Sequence, residues 1–65
     1  MVEFRINCCT GVVTVTCERE IAVTTFEKLL RGFEGSTYTV HCDNKAIIAG
    51  AMDINDIDAL EDYLR

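Results

Sequence analysis

Between positions 2 and 8 every second residue is apolar: Val2, Phe4, Ile6 and Cys8 fall on one side, and Glu3, Arg5 and Asn7 on the other. That period of two marks a strand with one buried face. Thr10-Gly11 interrupts it with a turn, where glycine accepts positive φ, and residues 12–18 resume it with Val13, Val15 and Cys17 on the matching side. Strand, glycine-containing turn and strand predict a hairpin. If Ile6 faces Val15, Cys8 faces Val13 and Cys17 faces Phe4. After Glu18-Arg19-Glu20 the period lengthens. Thr24 and Glu27 have the spacing of a capping box, and Phe26, Leu29, Leu30 and Phe33 trace a helical stripe. The pattern predicts a helix over 24–32, stopped by Gly32.

The second half repeats this plan. Tyr38, Val40 and Cys42 alternate with Thr37, Thr39 and His41, and Asp43-Asn44 predicts a tight turn because both residues tolerate left-handed backbone. Residues 45–51 read as a strand apolar on both faces, with Ile47 and Ala49 assigned to the core. Asp53 is placed to cap a last helix, with Met52 and Ile57 as a hydrophobic staple. Ile57, Leu60 and Leu64, flanked by Ile54 and Tyr63, supply its buried stripe.

The segments 1–34 and 35–65 align without a gap at an offset of 34 residues, and Glu27-x-x-x-Arg31 falls on Glu61-x-x-x-Arg65. An internal duplication would leave this pattern, and so would any two strand–strand–helix units. Either origin predicts one α+β domain over 1–65, of order ββαββα: a four-stranded antiparallel sheet with two short helices on one face. The expected core is Phe4, Ile6, Val13, Val15, Phe26, Leu29, Leu30, Tyr38, Val40, Ile47, Ala49, Ile57, Leu60 and Leu64. The other sheet face would carry polar strand residues together with Val12, Ala46 and Ile48. Apolar residues there, and edge strands free of proline, also admit a homodimer.

Composition narrows the function classes. Eleven acidic against six basic residues give a formal charge of −5, which argues against nucleic acid as a partner. Apolar residues form 49% of the chain, yet no run of eighteen exists, so no membrane span is expected. Glu3 and Arg5 stand where an export signal would be apolar. Four cysteines in 65 residues fall short of the roughly 8–10% of a disulfide scaffold, so free thiols in a cytoplasm are expected, with a disulfide as the alternative that an even count in a short chain keeps open.

Candidate chemistry is sparse. No phosphate-binding loop, nucleophile elbow or zinc spacing is present, so the expectation is a protein that is not an enzyme and needs no cofactor or metal. His41 is the sole histidine, and a Cys–His nucleophile would require Cys9 on the same face.

The charge is uneven. Asp53, Asp56, Asp58, Glu61 and Asp62 face only Arg65, so residues 53–65 carry −4 of the total −5. A helix dipole favours the early aspartates but not Glu61 and Asp62 near its negative end. Asp56, Asp58, Glu61 and Asp62 are therefore the expected partner-binding residues, presented to a basic protein surface by a small regulator or inhibitor. In size and element order the chain resembles small intracellular or phage-borne accessory proteins. Two alternatives stand beside this reading. One is a thiol-dependent metal or redox module using Cys8, Cys9 and Cys42; the other is a purely homo-oligomerising domain.

Overall fold

A computed structural model describes residues 1–64, so the Glu61–Arg65 spacing lies partly outside the described residues. The chain runs β1 (Val2–Cys8), β2 (Gly11–Cys17), a short 3-10 turn (Arg19–Ile21), α1 (Ala22–Phe33), β3 (Thr37–Cys42), β4 (Lys45–Ala51) and α2 (Asp56–Leu64). All strands lie in one antiparallel sheet of order β2-β1-β3-β4, with β2 and β4 as its edges.

The first hairpin is tighter than the expected register. Cys8 pairs with Gly11, so Ile6 faces Val13 rather than Val15, and Cys17 faces Val2. Gly11 makes this possible by taking a φ of +130° directly after the two-residue turn. At the second hairpin Cys42 pairs with Lys45 across Asp43 and Asn44, whose φ values of 52° and 68° are those of a type I′ turn. Because β1 and β3 run antiparallel, these two turns close opposite ends of the sheet.

The core lies between the sheet and the helices. Val2, Phe4 and Ile6 of β1, Ala22, Phe26 and Leu30 of α1, Tyr38 and Val40 of β3, Met52 and Leu60 are all buried. Phe26 stacks on Phe4 at 5.9 Å between ring centroids and meets Tyr38 at 5.4 Å, which ties α1 to the two central strands. Val13, Val15, Leu29, Ile47, Ile57 and Leu64 pack against this core but are only partly buried.

Ala49 does not belong to the core. A bulge between the strands shifts the register, so Ile48 faces the buried Val40 while the exposed Ala49 faces Thr39. The extra residue is Ile47, and with Ile48 it packs against the core. Two adjacent isoleucines thus serve the same core at a bulge, which explains why this edge strand looked apolar on both faces.

α1 starts two residues before the expected boundary. The 3-10 turn closes with Ile21 N–H donating to Glu18 O at 3.1 Å and feeds straight into the helix, whose N-cap, Ile21, makes no side-chain cap bond. Thr24 is therefore inside the helix, and Thr24–Glu27 does not form its start. Gly32 is helical as well. The chain turns instead at Gly35, with φ of +88°, after Glu34 at φ −54° and ψ 133°, and Ser36 N–H donates to Phe33 O at 3.0 Å. That is a type II turn, which requires a positive φ at its third residue.

Candidate functional site

α2 is fixed at both ends. Met52 N–H donates to Ser36 O at 2.8 Å and Gly35 N–H donates to Met52 O at 3.0 Å, which carries the β3–β4 pairing past Ala51 and buries Met52. Directly after it, the Asp53 carboxylate accepts the Asn55 N–H at 3.3 Å, and the Asp56 carboxylate accepts the Asp53 N–H at 3.2 Å. These reciprocal bonds satisfy donors that a helix start leaves open. At the far end, Arg19 donates from Nε to Leu64 O at 3.2 Å and brings a cation to the negative end of the helix dipole.

Between these anchors Ile57, Leu60 and Leu64 turn inward. The four acids expected to bind a partner are consequently spread around the remaining circumference. Asp58 and Asp62, one turn apart, are exposed and lie opposite the buried stripe. Glu61 is also exposed, but it borders an open groove of about 350 Å³ shared with Arg19, Glu20, Val23 and Leu64. Asp56 is half-buried and occupied in capping. Its carboxylate also acts on Tyr38: burial first, then this neighbouring carboxylate, push the phenol above its usual range. The Tyr38 hydroxyl is itself buried with no hydrogen-bond partner among the described residues.

Ile54 and Tyr63 depart from the expected buried stripe. They are 64% and 58% exposed, so large apolar surface accompanies the acids on and just before α2. The reason is geometric: one residue, Leu60, fills the centre of the contact, and nine helical residues cover too little core to bury the flanks. Its position directly after Asp62, which faces away from the core, was the available signal for Tyr63 as a surface residue.

The cysteines occupy separate places, and all four are free. Cys17 and Cys42 flank Val2 on neighbouring strands. Two interstrand spacings separate them by about 9–10 Å, beyond the roughly 7 Å that a disulfide can span. Cys8 and Cys9 sit at the first hairpin turn. Cys42 pairs six residues back along β1 from Cys8, about 20 Å away, so Cys8, Cys9 and Cys42 cannot ligate one ion. No group of three His, Cys, Asp or Glu side chains among the described residues is arranged to hold a metal. The Cys8 thiol lies 3.3 Å from Thr10 Oγ1 and 3.2 Å from Gly11 O. The Thr10 hydroxyl, followed by its backbone, lowers the Cys8 pKa from 9.0.

His41 lies on the open sheet face opposite Glu3, in a cleft of about 300 Å³ with Met1, Thr16, Asp43 and Asn44. The N-terminal amine pairs with Asp43 there at 3.7 Å, between exposed groups. Cys9 is at the other end of the sheet, so the two do not meet. Among the described residues no helix is long and apolar enough to cross a membrane. Comparison with protein-family models, curated proteins and solved structures finds no match for this chain.

Proposed function

We propose that this protein is a non-enzymatic binding module that acts by stoichiometric contact, as a regulator or inhibitor in the cytoplasm. It would present the outer face of α2 to a basic protein surface. The observation that carries the reading is the pairing of Asp58 and Asp62, both turned away from the core, with the exposed Tyr63 on the same helix. Like charges one turn apart oppose helix formation by about 0.2–0.5 kcal/mol, a cost that a cationic partner reverses. Tyrosine supplies contact area at low entropic cost and is enriched among the residues that dominate interface energies. Glu61 extends the acidic surface toward Arg19, and Asp56 contributes from the capped start of the helix. Four free thiols accord with a reducing compartment.

The test is capture of partners by tagged protein from lysate of its source, with elution by rising salt. The reading expects a basic protein that is retained at low salt, released at high salt, and lost with Tyr63→Ala. A partner held equally by Tyr63→Ala and indifferent to salt would overturn it, because exposed charges about 10 Å apart are already screened at 0.1 M salt.

A further inference from the structure

β2 is an unprotected sheet edge, and we propose that it pairs antiparallel with β2 of a second copy to give one continuous eight-stranded sheet. The inference is independent of the α2 reading. Over its seven residues, Gly11–Cys17, this strand carries no charge and no proline, and its pairing with β1 shows no bulge. Those are the devices that keep edges from pairing.

The geometry of the hairpin decides which groups are free. In a two-residue hairpin the residues flanking the turn exchange both backbone bonds, and bonded and non-bonded pairs then alternate. Gly11, Val13, Val15 and Cys17 therefore bond to β1, which leaves the N–H and C=O groups of Val12, Thr14 and Thr16 directed outward.

A twofold axis at Thr14 satisfies all of them. Val12 then pairs with Thr16 of the second copy and Thr14 with Thr14, while Val13 meets Val15 on the helix-covered side. Threonine pairs and β-branched apolar pairs are both favourable across strands. Val13, Val15 and Cys17 are only partly buried, whereas Val2, Phe4 and Ile6 on the adjacent strand are fully buried. The core is thus incomplete at this edge, and the Val13–Val15 contacts would extend it.

Charge selects β2 over β4. Copies of a chain with net charge −5 repel. Over Gly11–Cys17 the strand holds no charged residue, so within the paired strands no acid faces another. β4, by contrast, carries the charged Lys45 and a bulge, two of the devices that keep an edge from pairing.

Sedimentation of the full chain at micromolar concentration tests this, with circular dichroism reporting the fold. The wild type is expected at twice its 7.3 kDa mass. Thr14→Lys, which places a cation against its own copy, and Thr14→Pro, which removes an outward N–H without touching the β1 ladder, are expected to be folded monomers. If Thr14→Pro fails to fold, Thr14→Lys alone decides. A wild-type monomer throughout the micromolar range, or a dimer that persists in folded Thr14→Lys, would overturn the proposal.

Discussion

At the scale of single residues, two side chains have surroundings that their sequence context does not reveal. Tyr38 belongs to the core by alternation, and its ring fulfils that role against Phe26. Its hydroxyl is buried without a hydrogen-bond partner among the described residues, and burial together with Asp56 raises its pKa. An unsatisfied buried polar group costs about 1–3 kcal/mol, so removing it is expected to help. Tyr38→Phe should shift the urea midpoint upward by the equivalent of about 1 kcal/mol with m unchanged. A midpoint that falls would mean that the hydroxyl does bond Asp56. Cys8 is the second case. The Thr10 hydroxyl lowers its pKa, so thiolate forms at lower pH than for an ordinary cysteine. Alkylation of Cys8, followed by peptide mass, should rise at lower pH in the wild type than in Thr10→Val. Identical pH profiles would remove the role assigned to Thr10. Neither contact was legible beforehand: that of Cys8 depends on a turn register that moved by two residues, from Ile6–Val15 to Ile6–Val13, and that of Tyr38 on where α2 brings Asp56 against the sheet.

At the scale of elements, alternation and helical stripes were legible, and boundaries were read where local chemistry dominates. Asp43-Asn44 turned as its residue types require, and Asp53 caps through bonds within four residues. Tertiary packing overrode local signals elsewhere. Thr24–Glu27 has a capping-box spacing, yet the buried Ala22 starts the stripe of Phe26 and Leu30 one turn earlier, and the helix follows it. Gly32 resembled a stop, but the turn is made at Gly35 by a φ of +88°. The two glycines should therefore respond oppositely to alanine. A methyl at either meets no atom within 4 Å, so backbone conformation alone decides. Gly32→Ala should stabilise by about 0.4–1 kcal/mol, and Gly35→Ala should destabilise by about 1–2 kcal/mol, read as shifts in Tm. Equal responses would contradict the placement of the turn. The β4 bulge was not legible, since a single extra residue leaves Ile47-Ile48-Ala49 unchanged in composition while moving which of them face the core.

At the scale of the molecule, the sheet and the two helices separate chemistry by surface. The open sheet face carries Glu3 and Arg5 joined at 2.9 Å, and His41, so its charge is nearly balanced. The acids of α2 lie on the helix side. The acidity of residues 53–65 was visible in composition, but its division was not: capping turns Asp56 inward, and burial of Leu60 turns Asp58 and Asp62 outward. Exposure of Tyr63 needed the extent of the core, which follows only from three-dimensional packing. The account rests on Asp58 and Asp62 acting together against a cationic surface, and exposed charge pairs contribute about 0.2–1 kcal/mol each. The most direct measurement compares retention of the captured partner by the wild type and by Asp58→Asn/Asp62→Asn at low salt. The account predicts a loss of about two- to thirty-fold in affinity, with the remaining binding less sensitive to salt. Unchanged affinity and unchanged salt dependence in the folded double variant would contradict it.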